Sequence, residues 1–149
     1  MISYEELNRQ NDRITELSNV LITLLKDRSM CTNSACCEIF STFVEQVKDH
    51  LDVIDKNLYG DLLSHADGEV KNVVDNFMSG SQEIRRITNR YIKDWCPNMS
   101  ADSLSVANHE RFYADTEKMF ALILERIQDE SEKLYPLVRK LRGDMEYAA

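Results

Sequence analysis

The amino-acid sequence predicts an all-α protein, an up-down-up-down antiparallel four-helix bundle that takes up residues 1–149 as a single domain. Three observations predict it. Apolar residues recur three and four positions apart along four long stretches, the spacing that gathers them on one helix face. The stretches are joined by short polar links rich in capping and breaking residues, and short links between long helices make antiparallel neighbours. No stretch alternates apolar and polar residues as a strand does, and four glycines and two prolines in 149 residues are too few for a turn-rich β-sandwich.

The first helix opens at Ser3 with Glu6 three residues on, a capping arrangement that satisfies orphan amide donors, and carries Leu7, Ile14, Leu17, Leu21 and Leu24 toward an end near Arg28. Ser29 to Ser34 reads as a turn. Phe40, Phe43, Val47, Leu51, Ile54, Leu58 and Leu62 then mark the second helix, with His50 beside its apolar stripe. Ser64-His65-Ala66-Asp67-Gly68 supplies a stop and a new N-cap. Val70, Val73, Phe77, Ile84, Ile87, Tyr91 and Trp95 define the third helix, and Cys96-Pro97-Asn98-Met99-Ser100 breaks the chain. After a loop or short extra turn over 101–107, a fourth helix runs from about Asn108 through Phe112, Met119, Ile123, Ile127, Leu134, Leu137 and Leu141, ended by Gly143. Helices of roughly 25 to 35 residues are each about 40 Å or more long at 1.5 Å per residue.

The chain is long enough for one hydrophobic core and too short for two large domains. With 18 Lys and Arg against 26 Asp and Glu, its net charge of −8 repels phosphate backbones and anionic lipid surfaces, so no nucleic acid and no membrane is expected as a partner. The longest apolar run, Val20 to Leu25 around Thr23, is far short of a membrane span, and Met1 to Glu6 lacks a signal peptide's basic-then-apolar pattern. A cytoplasmic location with reduced thiols is the expectation. A glycine-rich phosphate loop, a Gly-x-Ser-x-Gly elbow and a His-Glu-x-x-His pair are all missing from the sequence, so no enzyme is expected.

The second and fourth helices share text. His50-Leu51-Asp52-Val53-Ile54-Asp55-Lys56-Asn57-Leu58-Tyr59-Gly60 aligns without a gap with Arg126-Ile127-Gln128-Asp129-Glu130-Ser131-Glu132-Lys133-Leu134-Tyr135-Pro136, each ending in Leu-Tyr before a helix-weakening residue. A fainter echo relates Asn11-Asp12-Arg13-Ile14 to Ser81-Gln82-Glu83-Ile84, so the chain reads as two helix pairs of common design. Over most of its length this pattern resembles the hemerythrin-like, or HHE cation-binding, family of four-helix bundles. His-Leu-x-x-x-Asp-x-x-Leu-Tyr in the second helix and Glu-x-x-x-Leu-Tyr-Pro in the fourth carry the resemblance. It implies a bacterial protein in which each half gives one His from its first helix and a His-x-x-x-Glu pair from its second, all turned inward onto two iron atoms.

Carried over position by position, that ligand set is mostly gone. The first-helix position is Asn11 and the third-helix position Ser81. His50 is retained, with Ile54 where its glutamate belongs. Glu130 is retained, with Arg126 where its histidine belongs. Isoleucine donates no electrons, and an arginine cation repels a metal. The expectation is a polar layer of Asn11, His50, Ser81, Arg126 and Glu130, in which Arg126 or His50 neutralises the buried carboxylate. Function follows as an expectation: a bundle without a cofactor, acting as a non-enzymatic regulatory protein that binds an unidentified protein partner. The alternative is a divergent metalloprotein holding iron through His50 and Glu130 and sensing or carrying O2 or NO.

Topology also predicts that Cys31, Cys36, Cys37 and Cys96 gather at one end of the bundle, as idle thiols or, as a weaker reading, a redox-sensing cluster. His109 reads as a surface residue at a helix start. Arg85, Arg86, Arg90 and Lys93 form a basic strip near Tyr91 and Trp95 that is a candidate contact for an acidic partner. Ile22, Leu25, Ile39, Val44, Ile92 and Leu124 either widen the core stripe or supply a homodimer face.

Overall fold

The computed structural model describes residues 3–64, 67–95 and 109–147, and among these every regular element is helical. Four long helical runs divide into six α-helices: α1 (Tyr4–Leu25), α2 (Ser34–Asn57), α3 (Tyr59–Ser64), α4 (Gly68–Trp95), α5 (His109–Asp129) and α6 (Tyr135–Tyr147). None of these helices is long and apolar enough to cross a membrane.

The caps follow the sequence closely. The Ser3 hydroxyl accepts from the Glu6 amide at 3.1 Å, although the Glu6 carboxylate turns away to Arg9 at 2.7 Å instead of closing the box. Ser29 to Ser34 is more ordered than a turn: a 3-10 helix spans Arg28–Thr32, started by Asp27, and Asn33 then caps α2 through the amides of Ala35 and Cys36. Asp67 caps α4 by accepting from the Val70 amide at 2.9 Å. His65 and the 101–107 segment lie outside the described residues.

Two features of the long runs go beyond the periodicity. The second run breaks at Leu58, where α2 ends and α3 begins at Tyr59. The fourth contains a π turn over Glu130–Leu134, closed by the Tyr135 amide on the Glu130 carbonyl. Pro136 has no N–H, so the i to i−4 ladder is already interrupted here, and the wider turn lets Glu130, Leu134 and Tyr135 all face inward. The two irregularities fall at aligned positions of the half-repeat. Gly143 does not end the last helix, which continues to Tyr147; no glycine among the described residues adopts the left-handed conformation that such a stop uses.

The core has two apolar compartments. One holds Ile14, Leu21, Phe40, Phe43, Leu51, Ile84, Phe112 and Ile127; the other holds Leu7, Ile54, Leu58, Val74, Phe77, Leu134 and Val138. Along α1 the chain passes from the second compartment to the first, along α2 back again, along α4 forward, and along α5 into α6 back once more. Asn11, His50, Ser81, Arg126 and Glu130 lie at the crossing on each helix, all buried. α1 packs on α2 and α5, and α4 packs on α5 and α2.

Leu25 and Val44 are buried, and Ile22, Ile39 and Ile92 pack against the first compartment, so these residues widen the core stripe. Leu124 sits with Ile22 in a groove between α1 and α5.

Candidate functional site

The crossing between the compartments is a hydrogen-bonded layer to which every helix contributes. At its centre is Glu130, fully buried at 0% exposure. One carboxylate oxygen accepts from Arg126 Nε at 2.8 Å; the other meets His50 Nε2 at 2.6 Å and accepts from the Tyr135 hydroxyl at 3.0 Å. The side chains of Arg126 and Glu130, one turn apart, meet because i and i+4 share a helix face. His50 comes from α2.

The opposite imidazole nitrogen, Nδ1, meets Gln10 Oε1 at 2.7 Å. The Gln10 amide is oriented by its Nε2 donating to Glu6 at 3.5 Å, so each His50 nitrogen faces an oxygen from a different helix. Burial pushes the Glu130 carboxyl upward, and the hydrogen bond and charge of His50, then the charge and bond of Arg126, outweigh it and hold the group below the ordinary carboxyl value.

Arg126 is 8% exposed and heavily used. Besides Glu130, it donates to the Phe77 carbonyl at 2.8 Å and to Tyr59 Oη and Ser81 Oγ at 2.9 Å each, and its guanidinium lies 4.8 Å from the centre of the Phe77 ring. Gly80 makes room for it: a Cβ there would stand 2.9 Å from Arg126 Nη1.

The two halves are cross-linked reciprocally. Tyr59 of the first half reaches Ser81 of the second at 3.3 Å, and the Tyr135 hydroxyl of the second half, its one proton shared with Glu130, meets Asn11 Oδ1 of the first at 3.2 Å. Asn11 in turn donates to Ser131 at 3.3 Å. Burial pushes both phenols above their ordinary value, with the nearby Glu130 charge adding for Tyr135 and Arg126 opposing for Tyr59.

Five of the six positions singled out from the sequence, Asn11, His50, Ser81, Arg126 and Glu130, therefore share one network. Ile54 does not join it; it is fully buried in the second apolar compartment. Sequence reasoning missed the other members, Tyr59, Tyr135, Gln10 and Gly80 among them. Tyr59 and Tyr135 stood in the repeated Leu-Tyr, a visible signal read as family pattern and given no site role. Gln10 and Gly80 have no local signature, because each is defined by a residue from another helix.

The layer does not fit an iron centre. His50 and Glu130, its two candidate donors, are bonded to each other at 2.6 Å, and a guanidinium holds the remaining carboxylate oxygen. The void beside them, lined by Ile14, His50, Ile84, Arg126 and Glu130 among others, is about 10 Å³, which is room for one water at most. Among the described residues no group of three His, Cys, Asp or Glu is placed to hold a metal ion.

Cys31 and Cys36 are free thiols and lie with Cys37 at one end of the first compartment, while Cys96 lies outside the described residues. Burial, then the neighbouring thiols, pushes Cys31 up to about 11, and burial followed by Cys37 raises Cys36. A thiol held protonated is a poor nucleophile, which argues against the redox-sensing reading for these two. His109 is no idle surface residue: its Nε2 meets the Leu25 carbonyl at 2.7 Å, tying α5 to the end of α1. Half of the basic strip is paired, Arg85 with Asp52 at 2.9 Å and Asp55 at 2.7 Å, and Arg86 with Glu83 at 2.6 Å, while Arg90 and Lys93 make no ion pair among the described residues. Tyr91 is buried on Thr116, and Trp95 is half-buried with its indole N–H on Asp115.

Compared with protein-family models, with characterised proteins and with solved structures, the chain matches none.

Proposed function

We propose that the chain is a hemerythrin-like bundle of up-down-up-down antiparallel topology, whose inward ligand positions have become a buried clamp of charges and hydrogen bonds. Its function on this reading is non-enzymatic: a regulatory or adaptor protein that works by binding a protein partner. The topology is supported by the alternating order in which successive long helices cross from one apolar compartment to the other.

One observation carries the functional reading. Five of the six positions where the half-repeat aligns with the family's ligands converge on a single layer, and that layer is filled by an Arg126–Glu130–His50 cluster whose acceptors and donors are already used on one another. A guanidinium 2.8 Å from the carboxylate takes the place a cation would need. The same contacts tie every helix together, so the layer specifies how the helices sit and leaves the outer faces available for recognition.

Anaerobic loading of the purified chain with Fe(II), followed by exposure to air, tests the reading by metal analysis and ultraviolet-visible spectroscopy. The expected result is substoichiometric iron and no oxo-bridged charge-transfer band. A band that disappears in His50→Ala and Glu130→Ala would overturn the proposal in favour of an O2- or NO-responsive iron protein.

A further inference from the structure

We infer that the groove beside Gly80, between α4 and α5, is a binding site for an uncharged, largely apolar small molecule that carries a carbonyl oxygen. The groove has a volume of about 340 Å³, at the small end of the ~300–1,000 Å³ range of ligand sites. Val73, Phe77, Ile84 and Leu122 give it an apolar lining, and the one buried polar side chain in that lining is Arg126. Four of the five N–H groups of Arg126 are used: Nε on Glu130, one on Nη1 on the Phe77 carbonyl, and the two on Nη2 on Tyr59 and Ser81. The fifth, on Nη1, has no acceptor among the described residues. A Cβ at residue 80 would stand 2.9 Å from Nη1, and both residues line the groove, so the bare glycine leaves this N–H uncovered on the groove side. An apolar recess with one fixed donor is the pattern of a small-molecule site, and a donor already held in place costs little further ordering when it takes an acceptor.

The charges around the groove are matched, which selects against an ion. Glu130 answers Arg126 at 2.8 Å, Arg86 holds Glu83 at 2.6 Å, and Lys133 pairs with Asp129 at 3.5 Å. Glu125 is exposed at the rim, where water screens it. A ligand anion meets a donor whose charge is already neutralised, and a ligand cation meets a guanidinium. A carbonyl oxygen takes the N–H without bringing a charge to desolvate. Neighbouring grooves lack such a donor. In the next groove along α4 and α5, of about 310 Å³, the Trp95 indole N–H is on Asp115 and the Tyr91 hydroxyl on Thr116. The groove between α1 and α5 is about 190 Å³, and its Ser18 hydroxyl donates to the Thr15 carbonyl. A ligand site here goes beyond the partner-binding reading and does not depend on it.

The probe is para-fluoroacetophenone, an aromatic ketone, titrated against the full chain and followed by fluorine NMR and by amide chemical-shift mapping. Three compounds of similar shape serve as comparisons: para-fluoro-α-methylstyrene, in which a methylene replaces the carbonyl oxygen, the anion para-fluorobenzoate and the cation para-fluorobenzylammonium. The expected result is saturable binding of the ketone at millimolar concentration, with shifts concentrated on Val73, Phe77, Gly80 and Leu122. The styrene is expected to bind about tenfold more weakly, the loss of one hydrogen bond to a charged donor, and both ions more weakly than the ketone. Gly80→Ala, which places a methyl group over Nη1, is expected to bring the ketone down to the affinity of the styrene. Styrene binding as tight as the ketone, an ion binding tighter than the ketone, shifts centred on Trp95 or between α1 and α5, or no saturable binding would each overturn the site. The comparison of ketone with styrene needs only the unaltered chain, so it decides the matter even if Gly80→Ala fails to fold. Iron uptake in the loading experiment counts against the proposed function, whereas these titrations bear on the groove.

Discussion

Removing the central ion pair one side at a time, and then both sides together, interrogates the layer directly. In Arg126→Leu, the Glu130 carboxylate stays fully buried and loses its 2.8 Å guanidinium bond while keeping His50 and Tyr135. In Glu130→Leu, the Arg126 cation is left with neutral acceptors, Tyr59, Ser81 and the Phe77 carbonyl, and His50 loses its acceptor at 2.6 Å. Stranding one member of a buried pair costs about 3–5 kcal/mol, a fifth or more of the ~5–15 kcal/mol that typically holds a domain folded. The double variant strands neither charge of the pair. Its loss is expected to fall short of the sum of the single losses by about 2 kcal/mol or more. Urea unfolding followed by far-ultraviolet circular dichroism at pH 7, with the slope unchanged across the series, reads all three values. Single losses that add to within about 0.5 kcal/mol would refute the coupling, and with it the claim that the layer acts as a unit.

Acid sensitivity follows from the depressed Glu130 carboxyl. A group whose folded value lies below its ordinary 4.5 contributes its stability above that pH, and loses it as pH falls from there through the lower folded value. Glu130→Gln is therefore expected to flatten the dependence of stability on pH below 4.5, as read from thermal midpoints between pH 3 and 4.5. Gly80→Ala is expected to reverse sign with context. In the wild-type background the added Cβ crowds Arg126 Nη1 at 2.9 Å and destabilises by about 1 kcal/mol, whereas beside Arg126→Leu the usual helix preference for alanine makes it stabilising by ~0.5–1 kcal/mol. Stabilisation in both backgrounds by urea titration would show that Arg126 does not depend on the bare glycine. Iodoacetamide labelling at pH 7.5, mapped by peptide mass spectrometry, is expected to modify half-buried Cys37 well before Cys31 and Cys36, whose buried thiols are held protonated. Early labelling of Cys31 would count against that ordering.

How much of this was legible in the sequence depends on the range over which each feature is encoded. Helix faces and starts are local, and Ser3, Asn33 and Asp67 cap helices from positions where a short side chain precedes an apolar-periodic run. The break at Leu58 and the π turn at Glu130 are not local in that sense. Gly60 and Pro136 weaken the ladder at aligned places, yet whether a helix bends, stops or widens there is decided by what its side chains must reach. The layer was legible as a set of positions because the half-repeat lines them up. Its wiring was not: Gly80 matters only because Arg126 arrives from α5, and Gln10 only because His50 arrives from α2. The basic strip shows a mixed case, since Arg85 and Arg86 stand out in sequence and in space are matched by Asp52, Asp55 and Glu83, whereas Arg90 and Lys93 make no ion pair among the described residues.

The half-repeat also explains why the layer takes the form of a clamp. Each half contributes a tyrosine at the same aligned place, immediately after the helix irregularity, and each tyrosine reaches the first helix of the other half. A symmetric pair of ligands would make the halves equivalent, whereas here one half brings Glu130 and the cation Arg126 and the other brings His50 and the apolar Ile54. The asymmetry has a mechanical consequence. Arg126 extends across to the Phe77 carbonyl and Ser81 on α4, wedged beside a glycine, on the same seam where α4 and α5 leave their grooves open. The residue that neutralises the buried carboxylate is thus also part of the wall of the open seam. The layer and the seam share one side chain, and its guanidinium cannot move outward toward the groove without giving up Glu130.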